Sequence, residues 1–318
     1  MSTPLISVIV ATYYPEKGKL LATLRSILLQ KDCDFEIIVT DDGSADFPEA
    51  DVRAFLENAG CPFEILVHPE NQGTVRNLLD AAKLAKGTYV KTISPGDLLY
   101  HDRTLQQACE FMQQHNARVA FGDMAVYNCE NGMQPIKRFH PADYRIYDAD
   151  RKHYNFRKVL KHQLIYSDLI CGAADLYERT TFCQGMEAIK EAVTYAEDSA
   201  YQLFTAQKVR IYRFPQKLVW YEHGTGISTN TDSPLFSRID TDFYRFYNFL
   251  AQGYPDLPFI RRTLRFWNRR RQGSALKKKI CRLLAVDKIL FSLRRRLLTR
   301  LRPLEQDPSF FYACNRQD

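Results

Sequence analysis

The chain has 318 residues, of which 45% are hydrophobic and 25% are charged, a composition typical of globular proteins. No apolar run approaches the roughly 20 residues of a membrane span, and residues 1–7 lack the pattern of a signal peptide, so we expect a cytoplasmic protein. The eight cysteines are scattered and form no Cys-x-x-Cys pair. We therefore expect reduced, mostly buried thiols and no zinc site.

The net charge of +7 is unevenly distributed along the chain. Residues 261–302 contain 16 Lys or Arg and one acid, Asp287, which gives this segment a charge of +15. Residues 303–318 carry −2, which leaves −6 for residues 1–260. The basic segment is therefore expected to contact an anionic partner.

The first 93 residues alternate between short apolar runs and helical patterns. Residues 6–11, Ile-Ser-Val-Ile-Val-Ala, predict a buried strand, and leucines and isoleucines at helical spacing over 20–28 predict a helix. The pattern continues with a strand around 37–39, a helix at 52–56, a strand at 63–67, a helix at 75–85 and a strand at 89–93. This alternation indicates a parallel α/β sheet of the nucleotide-binding type.

Two carboxylates follow the second strand directly, in the stretch Phe35-Glu-Ile-Ile-Val-Thr-Asp-Asp-Gly-Ser44. Ligands of open α/β sheets bind beyond the carboxyl ends of parallel strands, where Asp41 and Asp42 are expected to lie. Two interpretations are open at this point. The acids either meet the polar groups of a ligand, or they only turn the chain and cap the next helix.

Five blocks in the first 90 residues resemble the family 2 glycosyltransferases. They are Ser7-Val-Ile-Val-Ala-Thr-Tyr, Leu24-x-Ser-Ile-Leu-x-x-Gln30, the 35–44 stretch, Glu70-Asn-Gln-Gly and Ala85-Lys-Gly-Thr-Tyr. The resemblance implies an α/β GT-A fold, with a mostly parallel central sheet flanked by helices. It also implies transfer of a sugar from a nucleotide diphosphate, usually UDP, to an acceptor hydroxyl with inversion at the anomeric carbon.

The same resemblance assigns the donor site. Thr12, Tyr14 and Asp41 would contact the base and ribose, with Asp41 accepting the imide N–H of uracil and Asp42 beside it. The Arg-Asn pair of the family falls on Leu78 and Leu79 here. Arg76, two positions earlier, is either a uracil or phosphate contact or a solvated helix charge.

The metal-binding motif of the family is reduced in this chain. Where the family usually has Asp-x-Asp-Asp, residues 94–97 read Ser-Pro-Gly-Asp. Either Asp97 anchors a divalent metal, Mn or Mg, with phosphates and water, or the metal is weak or absent, or the stretch is simply a turn. Glu222 occupies a position where the family usually has Arg. The neighbouring His223 could contact phosphate or provide a metal nitrogen, or be structural.

The second pair of acids is Glu197-Asp198, before a predicted helix at 200–206. By resemblance one of them is the general base that deprotonates the acceptor hydroxyl, and we choose Asp198. The alternative is that both acids only stabilise the start of the helix. Residues 170–177 resemble the small-residue strand that lines the acceptor cleft of the family.

The remaining predictions concern the rest of the chain. We expect a helix at 102–116, a pair of strands over 119–127 broken at Gly122-Asp123, and a strand at 217–221. The domain prediction is a catalytic domain at 1–250, with a nucleotide-binding half at 1–100 and an acceptor half at 101–250. A basic amphipathic helical extension at 251–318 follows it.

The extension is predicted to dock on the inner face of the cell membrane. Apolar residues recur on one stripe at a spacing of 3.6: Leu276, Ile280, Leu283, Leu284, Leu290, Phe291, Leu297, Leu298 and Leu301. The alternative is that these leucines pack on the catalytic domain. Nucleic-acid binding is disfavoured because the segment has few aromatic residues. A position at the membrane suits a lipid-linked glycan as acceptor. The alternative to a glycosyltransferase is a sugar-nucleotide binding protein of the same fold with impaired catalysis.

Overall fold

The structure is a computed structural model that describes residues 4–128, 132–133, 141–150, 153–224, 236–272, 286–300 and 306–315. Its first part is a parallel sheet in the order β3-β2-β1-β4. The strands are β1 (Ile6–Thr12), β2 (Phe35–Asp41), β3 (Phe63–Val67) and β4 (Tyr89–Ile93). The helices between them are α1 (Lys17–Leu28), α2 (Glu49–Ala59) and α3 (Thr74–Leu84). The predicted alternation over the first 93 residues is confirmed.

The apolar run in β2 is buried because the sheet is covered on both faces. Ile37 and Val39 contribute to the core with α1 and α2, and Ile38 contributes to the core with α3. Thr12 pairs with Asp41 and Val10 pairs with Ile93, so three parallel strands end at one edge of the sheet. That edge carries the site described below.

The second part of the sheet is mixed rather than parallel. It contains β5 (Leu98–Leu99), β6 (Val119–Asn128), β7 (Gly132–Met133), β8 (Asp175–Glu178) and β9 (Ile211–Glu222). Strand β8 lies antiparallel between β4 and β6, whereas β9 is parallel to β6 and antiparallel to β5. The predicted α/β fold with a central sheet flanked by helices is confirmed; beyond the four parallel strands β1–β4, the sheet combines the parallel pair β6-β9 with antiparallel neighbours.

Two local predictions in this part are wrong. Residues 119–128 form one strand instead of a pair, and its pairing with β9 shifts register between Phe121 and Met124. A Cβ on Gly122 would lie 2.5 Å from the Leu218 side chain, so this glycine allows close packing within a bulged strand. The small residues Gly172–Ala174 form a 3₁₀ turn, and the strand begins only at Asp175.

Helices fill the remaining layers. They are α4 (Thr104–Gln114), α5 (Phe156–Leu160) with a π turn at Lys161–Tyr166, α6 (Arg179–Ile189), α7 (Ala200–Ala206) after a 3₁₀ turn at Glu197–Ser199, and α8 (Phe236–Gly253). A 3₁₀ turn at Tyr144–Tyr147 precedes α5. Helices α3, α6, α7 and α8 share the larger of the cores.

The C-terminal segment contains α9 (Ile260–Gln272), α10 (Val286–Arg300) and α11 (Ser309–Cys314). The predicted stripe placed Leu290 and Phe291 on one face, but Leu290 is 59% exposed and Phe291 is 6% exposed. Phe291 is buried because its ring stacks on Tyr166, with 4.5 Å between centroids. The other stripe positions, Leu276, Ile280, Leu283, Leu284 and Leu301 and the side chains of Leu297 and Leu298, lie outside the described residues.

Two expectations from composition can also be compared with the structure. Within the described ranges, no helix is long and apolar enough to cross a bilayer. Six cysteines fall in those ranges and all are free, but Cys109 and Cys314 are buried while the other four are partly exposed. The thiols are therefore less buried than expected.

Candidate active site

A cavity of about 480 Å³ opens at the edge where β1, β2 and β4 end. Its wall is formed by the segments that follow these strands and by parts of α1, α3, the 171–173 turn, the 195–198 turn and the end of β9. Among the described lining residues six are acids and one is a base: Glu16, Asp42, Asp97, Glu197, Asp198 and Glu222, with Lys19. The cavity is therefore strongly acidic.

Asp41 lies behind the cavity wall and holds the loop after β1 by hydrogen bonds. Its carboxylate accepts hydrogen bonds from the Thr12 hydroxyl at 2.7 Å and from the Ser44 backbone N–H, also at 2.7 Å. The Ser44 hydroxyl in turn accepts the backbone N–H of Tyr14 at 2.6 Å. Asp41 is fully buried and does not line the cavity, and its hydrogen bonds fix the Tyr14 loop.

Asp42 is the carboxylate of this pair that reaches the cavity. It accepts the backbone N–H groups of Gln72 at 2.8 Å and Gly73 at 2.9 Å, at the start of α3. Burial raises the pKa of Asp42, and these hydrogen bonds oppose the rise. Thr12 and Tyr14 line the cavity beside it, and Tyr14 has a left-handed φ of 46°. Of the four residues predicted near the base and ribose, Thr12, Tyr14 and Asp42 therefore line the cavity.

Arg76 and His223 are not brought to the cavity. The Arg76 guanidinium points away from it and forms an ion pair with Glu191 at 2.7 Å, because position 76 lies on the outer face of α3. The next residue, Asn77, lines the cavity instead and contacts Thr40. His223 is exposed and is fixed by its backbone, whose N–H donates to the Tyr127 carbonyl at 2.9 Å. The structure gives neither residue its predicted contact.

Asp97 lies at the cavity wall in a tightly held loop. One oxygen, Oδ1, accepts the backbone N–H of Glu222 at 2.9 Å, and its own carbonyl accepts the Thr23 hydroxyl at 2.8 Å. The Tyr127 hydroxyl donates to the Gly96 carbonyl in the same loop. Burial raises the pKa of Asp97 to about 7, while the hydrogen bond from Glu222 and the charge of Lys91 oppose that rise.

The Glu222 carboxylate is also buried at this wall. It forms an ion pair with Lys19 of α1, with 2.6 Å between Nζ and Oε1. A divalent metal is implied by the predicted family, and the described part of the chain contains no group of three or more His, Cys, Asp or Glu arranged to bind one. The available protein carboxylates at this loop are Asp97 and Glu222.

Glu197 and Asp198 share the cavity wall with the donor side. They lie in the 3₁₀ turn before α7, opposite Gly172, where a Cβ would be 2.6 Å from Glu197 Oε1. Burial raises the pKa of both carboxyls, and the charge of Asp198 raises the pKa of Glu197 further. Backbone N–H groups at the start of the turn partly offset the rise for Asp198. Asp198 is therefore the first of the two to ionise.

Two supports of the site were missed from the sequence. Lys91 of β4 is fully buried and bonds Asp175 and the Ala173 carbonyl, each at 2.9 Å, which fixes the turn at the wall. Asp242 of α8 accepts the backbone N–H groups of residues 194–196. The available signals were a lysine in an apolar strand and an acid within an aromatic helix.

A parallel α/β sheet whose strands end at a cavity lined by carboxylates is the architecture of a ligand-binding α/β protein. Residues 7–174, just over half of the chain, match the model of glycosyl transferase family 2. The chain belongs to this family. The predicted family is confirmed.

Curated relatives agree with this assignment. A PGL/p-HBAD biosynthesis glycosyltransferase of Mycobacterium tuberculosis is 29% identical over 126 residues, as is one of Mycobacterium bovis. The match covers 39% of this chain and 48% of the relative, so the chain spans about half the length of the curated relatives it matches.

Solved structures share the fold. S. aureus TarS 1-349 in complex with UDP-GlcNAc has a TM-score of 0.58 at 19% identity, covering 83% of this chain and 72% of that one. The mannosyltransferase PcManGT from Pyrobaculum calidifontis, in complex with GDP-Man and Mn²⁺, has a TM-score of 0.50 at 16% identity, covering 98% and 86%. The predicted GT-A fold is confirmed.

Proposed function

We propose that the chain is an inverting glycosyltransferase that moves a sugar from a UDP-sugar to a hydroxyl of a lipid-linked glycan. The observation that carries the proposal is one cavity lined both by Thr12, Tyr14 and Asp42 and by Glu197 and Asp198. The solved TarS structures with UDP and UDP-GlcNAc, and PcManGT with GDP-Man, support a nucleotide-sugar donor.

The donor side of the proposal rests on the loop after β1. Tyr13 and Tyr14 are 45% and 55% exposed at the cavity, which leaves two rings available to pack against a base. Asp42 and Asn77 provide polar atoms at the same wall. Asp41 positions the loop through Ser44 and Thr12 without contacting the ligand itself.

The acceptor side of the proposal uses Asp198 as general base. Its carboxylate takes the proton of the acceptor hydroxyl as the hydroxyl oxygen bonds to the anomeric carbon and the bond to the diphosphate breaks. Attack from the face opposite the leaving group inverts the anomeric centre. Glu197, whose pKa is raised by burial and by the charge of Asp198, lies beside Asp198 at the same wall.

A divalent cation fits the residues present. Six acids and one lysine line the described cavity wall, so an incoming diphosphate requires additional positive charge. Lys19 already places one cation against a carboxylate there. Asp97 would bind the metal, Mn or Mg, which when bound neutralises charge on the departing diphosphate.

The lipid-linked acceptor is proposed from the C-terminal segment, whose docking surface is α10. Two residues of α10 form ion pairs with the rest of the chain: Arg294 with Asp143 at 3.3 Å, and Asp287 with Arg262 at 2.5 Å. These two residues and the buried Phe291 define the side of α10 that faces the protein. An outer apolar row remains exposed: Val286, Ile289, Leu290 and Leu293. With +15 on residues 261–302, this row fits the interface of an anionic membrane. Residues 1–250 are then the catalytic unit and 251–318 the membrane extension.

The proposal is tested with a panel of nucleotide sugars, measured by calorimetry and thermal shift. We expect UDP and one UDP-sugar to bind, and the same UDP-sugar to be hydrolysed slowly when manganese is present. Preference for a non-uridine nucleotide would refute the donor assignment. Tight binding of a UDP-sugar without transfer or hydrolysis would favour the second candidate, a binding protein with impaired catalysis, which the loss of two acids at 94 and 96 suggests.

A further inference from the structure

The loop at residues 94–97 and the end of β9 bring two carboxylates, those of Asp97 and Glu222, together at the cavity wall. We propose that Glu222 provides the second carboxylate of the divalent-metal site, beside Asp97, and that Lys19 occupies the cation position while metal is absent. The inference rests on the proposed function, because the diphosphate of the donor supplies further oxygen ligands.

The position of Glu222 relative to Gly96 is the main observation. Gly96 has a φ of +99°, and a Cβ built on it would lie 2.2 Å from Glu222 Oε2. The carboxylate of Glu222 therefore fills the space in which a side chain at position 96 would begin. By the resemblance, position 96 is where the family carries the second acid of Asp-x-Asp-Asp. The chain loses a carboxylate from the loop and gains one at the same place from β9.

Asp97 completes the pair. The backbone N–H of Glu222 donates to Asp97 Oδ1 at 2.9 Å, which fixes the two residues side by side. Asp97 is 6% exposed and lines the cavity, and no donor among the described residues bonds its Oδ2. A carboxylate at a cavity wall with only one of its oxygens bonded by a protein donor is a favourable ligand for a cation.

The third observation concerns the ammonium group of Lys19, which lies beside Glu222. Lys19 Nζ lies 2.6 Å from Glu222 Oε1 and 3.6 Å from Glu16 Oε2. Mg²⁺ and similar ions bind through one or two protein carboxylates plus substrate phosphates and water, so two carboxylates are sufficient when the donor is bound. A metal at Glu222 displaces the ammonium of Lys19, which is then released toward the anionic donor.

The test measures manganese binding directly, by the EPR signal of free Mn²⁺ in titrations with and without UDP. For Glu222→Gln we expect Mn²⁺ affinity in the presence of UDP to fall at least tenfold. Lys19→Met should bind Mn²⁺ several-fold more tightly, because a competing cation is removed. Glu57→Gln is the control: Glu57 is an exposed acid of α2 that does not line the cavity, and the Mn²⁺ affinity of this variant should match wild type.

A second variant distinguishes loss of the metal site from misfolding. Glu222→Gln removes the carboxylate that pairs with Lys19 at 2.6 Å, so the double variant Lys19→Met with Glu222→Gln, checked by circular dichroism, should fold and still bind Mn²⁺ weakly. Wild-type Mn²⁺ affinity in either Glu222 variant would overturn the inference, as would UDP binding without any Mn²⁺ binding in the wild type; both leave the proposed function intact. Failure of the wild type to bind any nucleotide would instead refute the proposed function.

Discussion

Asp242 of α8 accepts the backbone N–H of Tyr195 at 2.6 Å, two residues before the acids proposed to catalyse transfer. The same oxygen accepts the N–H groups of Thr194 and Ala196 at 3.1 and 3.2 Å. A single buried carboxylate thus replaces the backbone partners that this turn lacks. Residues 194–196 have their geometry set by a helix that lies almost 50 positions further along the chain.

Replacing Asp242 with Ala tests this support. Each buried N–H left without an acceptor costs about 1–3 kcal/mol, so we expect a clear loss of stability in urea unfolding. We also expect a lower kcat with little change in UDP affinity, because the turn and not the donor loop is released. Asp240→Ala, an exposed acid on the same helix, is the control. Equal stability of the two variants would contradict the support role.

Asp41 should control donor affinity without contacting the donor. Asp41→Ala removes the acceptor for Thr12 and Ser44 and frees the Tyr14 loop, so UDP binding should weaken by about 1–3 kcal/mol, with a lower melting temperature. Asp46→Ala changes an exposed acid of the same loop and should leave both quantities unchanged. Calorimetry with UDP gives the answer, and an unaltered affinity for Asp41→Ala would remove this residue from the donor site.

Asp198 should be the residue that limits transfer. Removal of a general base costs roughly 10²–10⁴ in rate, so Asp198→Asn should lose most transfer while UDP binding survives. Glu197→Gln should retain more activity than Asp198→Asn. If the order of the two variants is reversed, Glu197 is the base.

The pH dependence of the transfer rate is a second test of Asp198 as the general base. Burial raises the pKa of Asp198, so the carboxylate that accepts the proton forms only at a higher pH than for an exposed aspartate. The kcat of the wild type should therefore rise with pH through this raised pKa and fall as pH is lowered below it. The rise should be absent from the residual activity of Asp198→Asn. A wild-type rate that is flat down to the ordinary pKa of aspartate, about 3.9, would contradict a buried base.

Membrane docking should depend on the outer row of α10. The variant Leu290→Ser with Leu293→Ser leaves Phe291 in place and removes two exposed leucines, so we expect loss of sedimentation with anionic liposomes at low salt. Tyr312→Ser removes an exposed aromatic ring outside α10 and serves as the control. Full sedimentation of the double variant, or none of the wild type, would show that α10 is only a packing element.

The sequence predicted those features that depend on neighbours along the chain. Strand β2 was identified because three β-branched residues precede two acids, and the parallel order followed from alternation with helices. Asp42 was placed at the ligand-facing end of a strand for the same reason, whereas Asp198 was chosen through the family resemblance. For Arg76 two interpretations were open, because the face that a helical position presents depends on the packing of α3 against α6; the structure places Arg76 in an ion pair with Glu191, which follows α6.

The features that could not be predicted depend on residues far apart in sequence. From the sequence alone, Glu222 indicated only the loss of the positive charge that the family usually has at this position. Nothing in the sequence shows that β9 ends beside Gly96. The ion pair of Lys91 with Asp175 joins positions 84 residues apart across β4 and β8. Such contacts are fixed by the order of strands in the sheet, and the mixed order of the second part was not evident from the pattern of residues.

The close approach of Glu222 to Gly96 restricts the order in which this site can change. A side chain at position 96 and the carboxylate at 222 compete for one volume, since they would be 2.2 Å apart. A mutational path that restores an acid at 96 must therefore shorten residue 222 first, and the intermediate keeps Asp97 alone. We therefore expect relatives to carry an acid at one of these two positions and not at both.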